Sequence, residues 1–219
     1  MIGAAHDVAE ALRRRSAIDD EAFDQLYATQ VRRLSTVHWT PVDVALRAAA
    51  LLAPAPDMRV LDVGAGPGKL CCIGALGFGG TWHGVEQHPA LVAAARATAH
   101  ALEIDGATDF VAGDMTARDW ARYDSLYFYN PFEAVLFGAP HGVGEDGGAL
   151  FAAHVAQAEQ RLAELPDGTR VVTFHGFGGR MPASYLRVAG ETLADGELVL
   201  WIQGAPITRA AAPASHAAS

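Results

Sequence analysis

The stretch Val60-Leu61-Asp62-Val63-Gly64-Ala65-Gly66-Pro67-Gly68-Lys69 decides the reading of this chain. An apolar strand carrying a carboxylate runs into three glycines at alternate positions, and an apolar helix follows. Glycines let the backbone turn sharply and let a ligand lie against bare peptide groups. The spacing selects the ligand. A dinucleotide loop has the form Gly-x-Gly-x-x-Gly, with its helix N-terminus on a pyrophosphate. Counted from Gly64, the third glycine of that form falls at position 69, which is Lys69. The pattern is instead Asp-x-Gly-x-Gly-x-Gly. A carboxylate two residues before the first glycine suits a ligand with a positive end better than one with a pyrophosphate.

Three later segments repeat the plan of a strand that ends in a polar residue. They are Thr81-Trp82-His83-Gly84-Val85-Glu86, Phe110-Val111-Ala112-Gly113-Asp114-Met115, and Ser125-Leu126-Tyr127-Phe128-Tyr129-Asn130-Pro131-Phe132. Taken singly, Asp62 and Glu86 read as solvated loop acids, Asp114 as a helix cap before Met115-Thr116, and Asn130-Pro131 as a turn pair. Taken in order, on four successive strands, they fall at the carboxyl ends, where an open parallel sheet binds its ligand.

These motifs resemble those of the class I S-adenosylmethionine (SAM)-dependent methyltransferases over residues 40–203. The resemblance implies an α/β fold: a doubly wound, mostly parallel seven-stranded sheet with helices on both faces. It implies SAM as cofactor, with its methionine end over Asp62, Gly64, Gly66 and Gly68. Glu86, with Gln87 beside it, stands where the family binds the ribose diol, and a carboxylate offers two acceptor oxygens for two hydroxyl donors. Asp114 stands at the adenine amino group and Met115 against the ring. His38-Trp39-Thr40-Pro41 resembles a segment that folds over SAM in some relatives and reaches its carboxylate, which adds Thr40 to the cofactor residues. Asn130-Pro131-Phe132 resembles the Asn/Asp-Pro-Pro-aromatic motif of methyltransferases acting on adenine or glutamine amino groups. Here Phe132 replaces the second proline and Glu133 the aromatic, so the expected acceptor is a nitrogen nucleophile of a small molecule or protein side chain.

The expected chemistry follows from that cofactor. The enzyme aligns a nucleophile with an electrophilic carbon and keeps water out. Asn130 is the candidate for orienting the nitrogen and contacts the cofactor side as well. Tyr129 and Glu133 are the candidate proton acceptors. Trp39, Pro131, Phe132, His141 and His175 are the candidate acceptor-site residues, with Trp39 and Phe132 closing on a cationic amine by cation–π contact. Simple core packing is the competing role for each aromatic, and a structural role for each histidine. Other SAM-consuming reactions and a non-catalytic SAM-binding protein are the alternatives, since these motifs hold a cofactor without dictating its use.

The remaining chain frames this core. Residues 1–53 read as a helical extension, with Asp19-Asp20-Glu21 at one helix start, where the dipole favours acids. Thr40-Pro41-Val42-Asp43 reads as another start, with a threonine cap and proline at the first helical position. Residues 54–209 form the SAM-binding domain and 210–219 a loose tail. Residues 132–148 form a glycine-rich loop long enough for a lid. Leu150, Phe151, Val155, Ala158, Leu162 and Leu165 mark one helix face. Thr169 to His175 is a fifth strand, and 185–188 with 197–201 a closing hairpin around Ala194-Asp195-Gly196.

Composition narrows the class. The 219 residues are 51% hydrophobic and carry a net charge of −9, so one full α/β core is expected. No run approaches a membrane span. An acidic chain is a poor match for duplex nucleic acid, whose phosphates need a basic surface. Arg13-Arg14-Arg15 and Arg32-Arg33 read as solvated helix faces. Cys71 and Cys72 are adjacent on one helix, point apart, and make neither a bridge nor a metal motif. A reducing cytoplasm is the expected compartment.

Overall fold

Alternation along the first strand sets the sheet. In β1 (Arg59–Val63), Val60 and Asp62 face one side and Leu61 and Val63 the other, and all four are buried. A strand buried on both faces belongs inside a parallel sheet covered on both sides. The computed structural model, which describes residues 2–16, 18–33, 39–132 and 147–204, places it there. β1, β2 (Thr81–Glu86), β3 (Thr108–Ala112), β4 (Ser125–Tyr129) and β5 (Arg170–Phe174) run parallel. β6 (Tyr185–Leu193) and β7 (Gly196–Gln203) form an antiparallel hairpin, with β7 against β5. The order is β3-β2-β1-β4-β5-β7-β6, seven strands in one sheet. It reverses between β1 and β4, which opens a crevice at their carboxyl ends.

Helices cover both faces. α1 (Ile2–Arg13), α2 (Asp20–Asp24), α3 (Thr29–Arg32) and α4 (Val42–Leu52) precede the sheet. α5 (Lys69–Phe78) and α6 (Pro89–Ala101) connect its first strands, and α7 (Gly147–Ala163) precedes β5. On one face, Val60, Trp82, Tyr127 and Val172 share a cluster with Leu12, Phe23, Tyr27, Trp39 and Leu52. The N-terminal helices therefore pack into the same core as the sheet. On the other face, Leu61, Val63, Leu126, Phe128 and Val171 pack with Ala158 and Leu162 of α7.

Four local expectations need correction. Thr40 does not cap α4: Pro41 holds the cap position without a side-chain bond, and the Val42 amide donates to Asp20 Oδ1 at 3.1 Å. The third strand begins at Thr108, so Phe110 is mid-strand and Asp114 lies two residues beyond its end. The hairpin strands are longer than 185–188 and 197–201. Leu150 is 45% exposed, because the buried face of α7 begins a turn later. Among the described residues no helix is long and apolar enough to cross a membrane.

Candidate active site

Two clefts flank a ridge at the sheet reversal. Gly64 belongs to the walls of both. It has φ +82, and a Cβ there would come within 2.9 Å of Pro131 Cβ. Only glycine lets the β1 loop and the β4 loop meet here. Gly68 is fixed for another reason: at φ +80, its Cβ would sit 2.7 Å from the Phe110 ring.

The second cleft, about 480 Å³ to its open mouth, is lined by Val85, Glu86, Gln87, Asp114, Met115, Pro131 and Phe132, with His154 and Gln157 from α7. Glu86 is 8% exposed and held by backbone at both oxygens. Oε2 accepts from the Gly66 amide at 3.0 Å and Oε1 from the His88 amide at 2.8 Å. Each oxygen keeps a further lone pair for a ligand hydroxyl. The glycine-loop amides are otherwise turned inward. Gly64 and Ala65 both donate to Val85 O, at 2.9 and 3.0 Å, and Gly68 donates to Ala65 O at 2.9 Å. These amides are therefore committed within the protein, and the loop does not present them to a pyrophosphate.

Asp114 is a cap, and it also lines the second cleft. It caps a 3-10 turn at Met115–Ala117, accepting from the Thr116 amide at 2.7 Å and from the Thr116 hydroxyl. Those bonds hold its carboxyl below the usual range. It remains exposed at the cleft wall. Phe132 is 5% exposed and packs edge-on to His154, at 5.6 Å between ring centres.

The first cleft, about 330 Å³, is lined by Trp39, Thr40, Asp62, Gly66, Pro67, Lys69, Tyr127 and Tyr129. The register that pairs Asp62 with Tyr127 across β1 and β4 puts both side chains on this face. Asp62 is 4% exposed. Burial, then the nearby Glu86 charge, push its carboxyl up from 3.8 to about 8, and only a weak contact from Cys71 Sγ at 3.9 Å opposes them. Tyr127 shares a hydrogen bond with the Thr40 hydroxyl at 3.2 Å, and burial raises its phenol well above the ordinary value.

Trp39 and Phe132 therefore stand in different clefts and do not close on one ligand group. Trp39 already lies 5.8 Å from Lys69 Nζ and edge-on to Tyr27. Asn130 falls in sequence between Tyr129, on the wall of the first cleft, and Pro131, on the wall of the second, at the ridge where the β4 loop meets Gly64. Its φ is +39, and its amide donates to Gly176 O at 3.1 Å. Asparagine is among the residues that tolerate this left-handed backbone. His175, also left-handed at φ +55, stacks behind Tyr129 at 5.7 Å and approaches Asp195 Oδ1 at 3.4 Å. Glu133 and His141 lie outside the described residues.

The sequence reading missed Lys69 as a wall of the first cleft and His154 and Gln157 as walls of the second. A signal for the latter exists. His154, Gln157 and Arg161 form a polar stripe at helical spacing beside the apolar face of α7.

No family model and no curated protein matches the chain. Solved structures do. An RNA methyltransferase from Salinibacter ruber, in complex with S-adenosyl-L-homocysteine, is 21% identical at a TM-score of 0.51, over 77% of this chain and 94% of that one. TrmN from Thermus thermophilus is 21% identical at 0.53, over 80% of this chain, which spans 52% of TrmN. MtNAS, in complex with MTA and tNA, is 15% identical at 0.53, over 92% of this chain and 70% of its own. The fold is that of the class I, Rossmann-like methyltransferases.

Proposed function

We propose that the chain is an enzyme that uses SAM and transfers its methyl group to a nitrogen nucleophile of a small molecule or protein side chain. The observation that carries this reading is Glu86, buried, oriented by two backbone amides, and facing a cleft that shares its Gly64 wall with the one that holds Asp62. That arrangement fits a ligand with a diol at one end and a cationic amino acid at the other. Asp114 and Met115 would receive the base, and Asp62, Thr40 and the Gly64–Gly68 loop the amino-acid end. SAM supplies an electrophilic methyl carbon beside its sulfonium. The chain's own task is alignment: Asn130 orients the nucleophile from the ridge, and Tyr129 is the candidate proton acceptor on the first cleft's wall. Carboxylates dominate the walls, which favours a neutral or cationic acceptor over nucleic acid.

A second reading is another SAM-consuming reaction, cyclisation or transfer of a different group, that leaves methylthioadenosine. It is motivated by MtNAS, a structure of the same fold that was solved in complex with MTA. Mass spectrometry of the nucleoside product, with a panel of amines as acceptors, separates the two. S-adenosylhomocysteine supports methyl transfer and methylthioadenosine the second reading. Turnover to neither, with every acceptor tried and SAM bound, supports a non-catalytic binder.

A further inference from the structure

Lys69 is the only lysine in the 219-residue chain. It sits at the head of α5 with 4% of its side chain exposed. Its Nζ lies 2.7 Å from Asp20 Oδ1 and 2.5 Å from Asp24 Oδ1. It also stands over the rings of Phe23, at 5.5 Å, and Trp39, at 5.8 Å. A buried ammonium is costly unless it is paired, so these contacts fix one arrangement of the surrounding chain. Three of the four partners are on α2, a five-residue helix too short to be stable alone and anchored otherwise by buried Phe23.

The fixed arrangement reaches the first cleft. Asp20 Oδ1 also accepts from the Val42 amide at 3.1 Å, two residues after Thr40. Trp39 lies beneath the same ammonium. One charged group thus ties the glycine loop to α2, to the start of α4, and to the Trp39–Thr40 wall. A compact ammonium with three donors fits between two carboxylates and two ring faces, where a planar guanidinium would demand a flat fork of acceptors.

We infer that Lys69 is a positioning residue: it pins α2 and the Trp39–Thr40 wall to the glycine loop, so that pinning and ligand binding in the first cleft strengthen each other. The identity of the ligand rests on the SAM reading above. The coupling is reciprocal, as linkage requires. A ligand lying against this wall holds α2 down, and a pinned α2 keeps the wall in place for the ligand.

Being the sole lysine, Lys69 reports on the pin directly. Acetylation of its amine by acetic anhydride, followed by peptide mapping, measures how often α2 lifts. Saturating SAM should slow that labelling about tenfold or more, and Asp24→Asn should speed it. Lys69→Met should raise the KM for SAM about tenfold with kcat nearly unchanged, and Lys69→Arg should recover part of the loss. A merely structural lysine would instead lower the melting temperature and the active fraction without moving KM. Wild-type KM in Lys69→Met, or labelling unchanged by bound SAM, overturns the coupling. If SAM does not bind the wild-type protein at all, the cofactor reading fails alone, and labelling of Asp24→Asn still decides whether the pin exists. Faster labelling supports the pin and unchanged labelling overturns it.

Discussion

The two clefts are built by different means. The second is held by backbone. Glu86 takes its orientation from the amides of Gly66 and His88, and Asp114 from its own turn. Both are fixed by residues within a few positions or on the adjoining loop. The first is held by side chains drawn from distant parts of the chain. Thr40 bonds to Tyr127, Lys69 pairs with Asp20 and Asp24, and Asp62 is buried with little to satisfy it. The second cleft is therefore preformed, whereas the first depends on how the N-terminal helices are seated. Binding at the first should move with pH and with mutations far from it. Binding at the second should move less with either.

The largest effect is expected on the ridge between them. Asn130→Gly keeps the left-handed backbone at φ +39, because glycine adopts it freely, and removes only the side chain. If Asn130 orients the nucleophile, kcat should fall by about 10² while SAM affinity holds. Asn130→Ala is a poorer test, since alanine at this φ adds backbone strain of about 1–2 kcal/mol. Wild-type turnover in Asn130→Gly with the true acceptor would move the chemistry to Tyr129 or to Glu133.

Next in size is Glu86→Ala. It should weaken SAM by about 1.5–3 kcal/mol, the range for hydrogen bonds to a charged group. It should also lower the melting temperature, because the Gly66 and His88 amides lose their acceptor. Glu86→Gln retains an acceptor oxygen and should cost less. Calorimetry showing unchanged SAM affinity in Glu86→Ala would remove the ribose from this cleft, and with it the contrast drawn above.

The contrast also explains what could be read from the sequence. Glu86, Asp114 and the glycine spacing are local features, each a strand end followed by its loop, so their places followed from the pattern of strands. Lys69 was legible only as a missing glycine, because its partners lie 49 and 45 positions upstream, on α2. Asp20 and Glu21 read correctly as acids at a helix start, but nothing local revealed that Asp20 would serve α4 and Lys69 together. Thr40 looked like a cap for the same reason: Thr-Pro is a good local helix start, and a tertiary bond to Tyr127 overrode it. Trp39 and Phe132 are both large aromatics near the site, which is all that the sequence carries about them, and they line different clefts. Gly64, which meets Pro131 closely, forms a wall of both clefts.

Asp62 should make the first cleft pH-sensitive. Its folded value of about 8 lies above the unfolded value near 3.8, with burial as the main cause and Glu86 second. Between about pH 4 and 8 the folded protein then holds a proton that the unfolded chain has lost. This group's contribution therefore falls as pH rises through that window and levels off above 8. Asp62→Asn should remove that slope, so its melting temperature should gain on wild type as pH approaches 8. A cationic ligand reverses the preference by favouring the ionised acid. Wild-type SAM affinity should rise with pH up to about 8, by at most about tenfold per unit, and be nearly flat in Asp62→Asn. Parallel profiles for the two proteins would mean that the buried acid does not face the cationic end.

The smallest effect is expected at the Thr40–Tyr127 bond, and it tests whether the first cleft is a packed wall or a polar contact surface. Thr40→Val removes one partner and leaves a buried phenol without the other, at a cost of about 1 kcal/mol in stability. Tyr127→Phe should cost a similar amount. The double variant removes both polar groups and should recover much of the loss, since two apolar groups of similar shape replace the pair. SAM affinity should follow stability if these hydroxyls only shape the wall, and the double variant should then bind nearly as well as wild type. If stability recovers in the double variant but affinity does not, one of the two hydroxyls touches the ligand. In that case the first cleft recognises its ligand through polar contacts of its own, as the second does, and the two differ only in how those contacts are held in place.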